Sequence, residues 1–442
     1  MVSRREVLRL GAVAAGTSFL PLTAGSEPTA AQPASIQALK SMRDQARPIT
    51  AGERGQRIAR ARGLMAANSM DAILMIGGSS LMYFANVSWW NSERLGALIL
   101  PVKGEPFFVV PAFEEDRLRE QLAGGPLDPK QHRFDNPQLA KWPFDVKAAD
   151  VRTWQEDEDP YRLVAQGLKD RGLSVGTLGT EERVTFAFSN GVAQAAPALK
   201  MVSATPVTAG CRGVKSAHEL ELMKLANQAT WLVYRAVYQA MRPGMTQHDV
   251  GALITAAYGN VGFRGGASVQ VGEYTALPHG SRTPQVIHEG MPIMIDDGCT
   301  VEGYNSDITR TFVLGKATDK QKHVFEIVQR AQKAALDAAR PGVACEAVDA
   351  AARKVITDAG YGPGYKFFGH RLGHGIGMDG HEWPYLVHGN ALPLAPGMTF
   401  SDEPGIYIRG EFGVRLEDDI YVTNNGAEMF TTPSPSIEHP FG

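Results

Sequence analysis

The sequence has few cysteines, no long apolar run and no excess of either charge. Cys211, Cys299 and Cys345 are its three cysteines, scattered through 442 residues. An odd set at wide spacing cannot build a disulfide framework, and it lacks the close pairing of a zinc ribbon. It predicts free, mostly buried thiols, with room for one disulfide at most. The apolar run near the start, Leu8 to Leu22, is about 15 residues long, whereas a membrane-spanning helix needs about 20. No span is therefore expected in the mature chain. The formal net charge is −3, and no clustered basic surface marks a nucleic-acid binder. One acidic block, Glu156 to Asp159, reads as a solvated loop. Tandem repeats of about 20–50 residues are also missing.

What is present is ordinary in bulk: 44% hydrophobic and 21% charged residues, as in a soluble globular protein. At roughly 100–200 residues per domain, the length predicts two or three domains. Residues 1–31 have the layout of a secretory signal: a charged start at Arg4-Arg5, a short apolar middle and a small-residue end. The adjacent arginines resemble a twin-arginine export signal, which implies a bacterial periplasmic location. Cleavage is expected between Ala24 and Ala34.

Residues 44–205 read as a small α/β domain. A polar helix runs from Gly52 to Ala67, and strands follow at Ala72–Ile76, Leu98–Val102 and Phe107–Val110. The stretch from Pro126 to Pro160, rich in proline and charge, reads as less regular. The character changes near Gly210, and residues 210–442 read as a second domain. Lys215 to Met241 carries an apolar stripe through Leu222, Leu225, Ala226 and Ala229 at helical spacing. Further helices are expected to start at Thr246 and Thr318 and to cover Ala347 to Ala359. Strands are expected at 268–271, 292–296, 307–314, 399–408 and 414–422.

Acids and histidines stand inside apolar or glycine-rich contexts in this second half. Asp296 ends the run Ile293-Met294-Ile295, where a carboxylate is costly unless paired or bound to metal. Asp296 and Asp307 are symmetric about the Val301–Glu302 midpoint. A hairpin there places them opposite each other, with Cβ atoms about 4.5–5.5 Å apart. Glu403 and Glu417 are likewise symmetric about Gly410, inside the turn Arg409-Gly410-Glu411-Phe412-Gly413. Four carboxylates cannot share a pocket ionised without strong repulsion. Two divalent metals about 3.5–4 Å apart would neutralise them. His370, His374 and His381 lie in a glycine-rich run, and His279 precedes Gly280. A mixed carboxylate and imidazole set suits a borderline ion: manganese foremost, or cobalt, zinc or iron. Taken singly, such residues are usually solvated turn acids or ordinary histidines. A phosphate-cradle reading of the glycine run fails, because the Gly-Lys-Ser/Thr ending is missing.

With these motifs in view, the chain resembles the pita-bread metallopeptidase family, whose members include methionine aminopeptidase, aminopeptidase P and prolidase. Asp296, Ser306-Asp307-Ile308-Thr309-Arg310-Thr311, His374, Asp402-Glu403-Pro404-Gly405 and Arg415-Leu416-Glu417-Asp418-Asp419 fall in the family's order. The resemblance implies an α+β architecture: a C-terminal pita-bread (creatinase/aminopeptidase) domain preceded by a smaller α/β creatinase-type domain. It implies five metal ligands, Asp296, Asp307, His374, Glu403 and Glu417, holding two divalent ions, with Asp307 and Glu417 bridging. His279 and His381 match outer histidines that hold substrate and steady the tetrahedral intermediate. His370 and Arg415 match positions that orient ligands.

The N-terminal part, including Ser92-Glu93-Arg94, resembles the proline-specific branch. The segment Arg212 to Glu219 resembles that branch's domain junction. The implied reaction is cleavage of Xaa-Pro bonds at the N-terminus of small peptides through a metal-bridging water, with Glu403 relaying the proton. Relatives of this form often dimerise, so a homodimer is expected. One departure is Asp297, an acid where many members carry a small or apolar residue. Together with Trp89-Trp90 it raises an alternative, a non-peptidase enzyme such as a dimethylsulfoniopropionate lyase. Strand alternation predicts instead that Asp297 points away from Asp296.

Overall fold

A computed structural model describes residues 32–124, 142–145 and 148–442. The export-signal reading of residues 1–31 and part of the Pro126–Pro160 stretch lie outside the described residues. Residues 34–442 form one compact unit.

The first half is built on one mixed sheet of six strands: β1 (Ala72–Ile76), β2 (Ala97–Pro101), β3 (Phe107–Pro111), β4 (Asp150–Trp154), β5 (Gly176–Thr180) and β6 (Leu199–Ser203). Their spatial order is β4-β3-β2-β1-β5-β6. Every residue of β1, β2 and β3 is buried, as expected for strands covered on both faces. Alternation along β1 feeds two cores. Ile73 and Met75 join one, and Ala72, Leu74 and Ile76 join the other. The helix Ala51–Ala67 begins where Thr50 and Glu53 form a reciprocal cap. The strands β4, β5 and β6 escaped the sequence reading, because Gly-Thr-Leu-Gly-Thr and its partners show neither a continuous apolar run nor clean alternation.

The second half has two β-layers, each covered by a pair of helices. Helices Ala217–Ala240 and Gln247–Val261 pack on β7 (Arg264–Gly265), β8 (Ser268–Val271), β9 (Pro292–Asp297), β10 (Cys299–Val301), β11 (Tyr304–Asn305) and β12 (Ile308–Val313). Helices Asp319–Ala338 and Cys345–Asp358 pack on a second layer. That layer holds β13 (Gly373–Gly375), β14 (Glu382–Leu386), β15 (Thr399–Asp402), β16 (Gly405–Ile408), β17 (Phe412–Arg415) and β18 (Asp418–Val422). Thr246 and Thr318 cap their helices as their positions predict. A bridge between Thr309 and Glu417 joins the two layers, and the acids gather at this seam.

Two expectations change in detail. Asp296 pairs with Thr309, not Asp307, because the ladder is offset by two residues from the expected register. The tight turn falls on Glu302 and Gly303, both at positive φ. An offset of two keeps every side chain on its face. The strands expected at 399–408 and 414–422 are each split, into β15 and β16 and into β17 and β18. Pro404 has no N–H to give a ladder, so the chain breaks at Glu403-Pro404 and at Leu416-Glu417. The pairing still centres on Gly410 in both parts, from Ile408–Phe412 to Asp402–Asp418.

Candidate metal centre

Three overlapping sets of side chains bring ligand-type atoms within 4.8 Å of one another. They are Asp296, Asp307 and Glu417; His374, Glu403 and Glu417; and Asp307, His374 and His381. The structure thus gathers all five expected ligands and His381. His279 is in none of these sets; it is exposed on the loop after Pro278. The Pro278 carbonyl accepts a bond from Arg415 (3.3 Å), which anchors that loop over the cluster.

Each ligand-type side chain is held by neighbours. The Thr309 hydroxyl lies 2.7 Å from Asp296 Oδ1 and 2.5 Å from Glu417 Oε2. A hydroxyl has one proton to donate, so it serves one of the two at a time. Arg415 donates to Asp296 Oδ2 (2.5 Å), to Thr309 (3.1 Å) and to the Tyr407 hydroxyl (3.0 Å). The Asp307 amide donates to Asp419 Oδ2, which also accepts from Asn227 (both 2.9 Å). His374 sits between β14 and β15, and the flanking glycines make that possible. A Cβ on Gly373 would meet the Ser401 carbonyl at 1.9 Å, and one on Gly375 would meet the Glu382 carbonyl at 2.5 Å.

The protonation pattern suits metal binding. Burial pushes His374 down to about 3, so its imidazole is neutral. Its Nδ1–H faces the Gly375 carbonyl (3.2 Å), leaving the Nε2 lone pair 3.4 Å from Glu403 and 3.9 Å from Asp307. That is the tautomer a ligand needs. Burial and the neighbouring carboxylates push Asp307 and Glu417 well up. Burial likewise carries Glu403 to about 8. Partial burial also pushes Asp296 upward, but Arg415 and Thr309 outweigh that and hold it below its usual value. Four carboxylates, Glu417 buried and the other three half-buried, thus meet one contacting cation, Arg415. Divalent ions would offset the burial and the mutual repulsion that raise three of them, and the donor set of oxygens with one imidazole fits.

His370 donates from Nδ1 to the Arg371 carbonyl (2.8 Å) and accepts from Tyr407 at Nε2 (2.7 Å). Burial lowers its pKa to about 3, which fixes this neutral form. His381 stacks on His374, with ring centroids 3.6 Å apart. Asp297 turns away from the cluster: its carboxylate accepts from the Gly298 amide (2.8 Å) at a backbone φ of 135°. Trp89 packs on the core of the first half and already faces Arg117, 5.7 Å from its ring. Asp297 and Trp89 thus each already have another partner, and Trp90 is exposed. Thr309, Asn227, Tyr407 and Asp419 are positioning residues that the sequence reading missed. Thr309 could have been found, since it faces Asp296 once the register is known. Asn227 and Tyr407 arrive from distant segments and leave no local signal.

Comparison with known proteins agrees with this geometry. The sequence pattern of metallopeptidase family M24 matches residues 221–424, and that of the creatinase/prolidase N-terminal domain matches residues 57–214. The chain is 36% identical to a probable dipeptidase PepE of Mycobacterium tuberculosis over 376 residues, covering 84% of this chain and 93% of that protein. It is 31% identical to a Xaa-Pro dipeptidase of Lactobacillus delbrueckii subsp. lactis, covering 84% and 95% respectively. The crystal structure of dipeptidase PepE from Mycobacterium ulcerans superposes with a TM-score of 0.79 at 33% identity, covering 89% of this chain and 99% of that one. The fold is the pita-bread arrangement behind a creatinase-type N-terminal domain, and the chain belongs to metallopeptidase family M24, in the branch that carries that domain.

Proposed function

We propose that the protein hydrolyses Xaa-Pro bonds at the N-terminus of small peptides, using two divalent ions. The observation that carries this reading is the seam cluster, five ligand-type side chains linked through overlapping sets of close donor atoms. Relatives named as dipeptidases and Xaa-Pro dipeptidases support the substrate class. When bound by Asp296, Asp307, His374, Glu403 and Glu417, divalent ions, manganese foremost, supply charge neutralisation, an acidified water and a polarised carbonyl.

The chain's own residues do the rest. Glu403, half-buried beside His374, takes a proton from the attacking water and returns it to the proline nitrogen as the C–N bond breaks. The hydroxyl remains on the carbonyl carbon, giving a free carboxylate and a peptide that starts with proline. His381, exposed beside the cluster, donates to the oxygen that gathers negative charge, and His279 steadies the substrate from its loop. Arg415 keeps Asp296 ionised and aimed at the cluster.

The manganese-loaded protein should cleave a Xaa-Pro dipeptide, and a chelator should abolish this. A Xaa-Pro-Yaa tripeptide in parallel separates dipeptidase from aminopeptidase activity. Silence on both peptides with metal bound overturns the reading.

The same reading includes a homodimer, to be checked by sedimentation. It also includes export through the Arg4-Arg5 segment, which Arg4→Lys with Arg5→Lys should block in a cell-fractionation assay.

A further inference from the structure

His381 has to aim its imidazole at one atom, yet little holds the ring itself. Among the described residues it forms no hydrogen bond. It leans on His374 alone, in a stack with ring centroids 3.6 Å apart. The residue is exposed, and it borders a cavity of about 350 Å³ that Ser79, Arg183, Arg212 and Asp379 also line. Close packing therefore does not fix the ring on that side, and its aim depends on the backbone that carries it.

That backbone is held by charge on both sides. Two residues before His381, Asp379 Oδ1 accepts from the Ser79 hydroxyl (2.5 Å) and from Arg183 (2.8 Å). Arg212 lies 3.1 Å from Asp379 Oδ2. The residue after His381, Glu382, pairs with Lys215 (2.5 Å), and each of these two side chains is 2% exposed. Gly377 leaves room for that pair, since a Cβ there would meet Glu382 Oε1 at 2.4 Å. At the start of the loop, the Asn305 side-chain amide donates to the carbonyls of Gly377 (3.1 Å) and Met378 (3.0 Å). Asn305 lies two residues before Asp307, so the loop is also tied to the hairpin that carries a metal ligand.

The anchors of Asp379 share an origin. Ser79, Arg183 and Arg212 all belong to the first half of the chain, which supplies no residue to the metal cluster among the described residues. Asp379 is thus the point at which that half grips the loop of His381. Both Asp379 and Arg212 are nearly buried, with side chains 10% and 9% exposed, so this contact escapes the screening that weakens surface pairs. Removing the charge of Asp379 releases the loop on the side of the cavity. A reacting group misplaced by about 1 Å can cost about 10²-fold in rate.

We propose that Asp379 is a positioning residue for His381, through which the first half of the chain holds the imidazole where the oxyanion forms; the assignment rests on the peptidase reading above. A double-mutant cycle tests it. Manganese-loaded Asp379→Asn, His381→Ala and the double variant are compared with wild type on a Xaa-Pro dipeptide. Asp379→Asn should lower kcat by roughly 10- to 100-fold, with KM and bound metal little changed. In the His381→Ala background the same substitution should change kcat by less than about 2-fold, because the group it positions is gone. Arg183→Met should show the same pattern with a smaller loss. Its side chain is 55% exposed, so it carries the cycle if Asp379→Asn does not fold. Imidazole NMR of the metal-free protein gives a readout apart from activity. The His381 signal, identified by its loss in His381→Ala, should move in the Asp379 or Arg183 variant as the stack on His374 loosens. Equal losses of kcat in the two backgrounds, or an unmoved His381 signal, overturn this assignment alone. A wild type that cleaves no Xaa-Pro peptide overturns the peptidase reading and this assignment with it.

Discussion

The two halves of the molecule bury opposite kinds of side chain in their strands. In the first half β1, β2 and β3 are sealed on both faces and carry only apolar residues. In the second half β12 and β15 are just as buried, and β18 is buried but for Tyr421, yet they hold Thr309, Arg310, Thr311, Asp402, Asp418 and Asp419. An apolar strand gains stability from every buried methylene. A buried acid costs stability unless something compensates it. The first sheet is therefore built for stability, and the second for holding charge where charge is costly. Arg57 links them: from the helix Ala51–Ala67 it reaches Glu219 (3.1 Å) and the Tyr304 hydroxyl (2.6 Å).

The contrast can be broken at three places. The largest effect is expected at the cluster. Glu403→Gln should lower kcat by about 10²–10⁴-fold, while the metal-free protein unfolds no more easily than wild type, because a mutually repelling carboxylate has been removed. Steady-state kinetics with thermal unfolding in chelator check both halves of that statement. Leu74→Ala should do the reverse. Leu74 is 1% exposed in β1, and its truncation should cost about 2–5 kcal/mol of stability with kcat unchanged, as denaturant titration and kinetics would show.

The smallest effect sharpens the comparison, because it concerns an acid buried in the first half. Glu181 accepts from the Ile76 amide (3.1 Å), and burial pushes its pKa up to about 7. The folded state then holds this proton more tightly than the unfolded chain does. The penalty is absent below the unfolded value and complete above the folded one, so stability should fall as pH rises from about 4.5 to 7. The loss is at most about 3 kcal/mol. Unfolding midpoints across that window should slope less in Glu181→Gln than in wild type. An equal slope would mean that Glu181 ionises freely in the folded protein.

The sequence reading located the long helices and the apolar strands, because their signals are local. Thr50, Thr246 and Thr318 mark helix starts by their caps, and Ala72–Ile76 is a plain apolar run. It missed β5, whose Gly-Thr-Leu-Gly-Thr becomes a strand through its neighbours β1 and β6. It named the residues that meet at the seam, because acids at matched spacing about a turn are visible in one dimension. It misplaced the partner of Asp296 by two residues, since the turn at Glu302-Gly303 and the kink at Asp297 set the register together.

By itself, then, the sequence determined which residues carry charge into the second half and that they fall on matched strands, because alternation and turn position are properties of the chain. Only the tertiary structure decided what surrounds them. Asn227 and Asp419 fix Asp307, and Tyr407 joins Arg415 to His370. These partners come from separate elements, and they meet because two β-layers, each covered by its own helices, close on a shared seam.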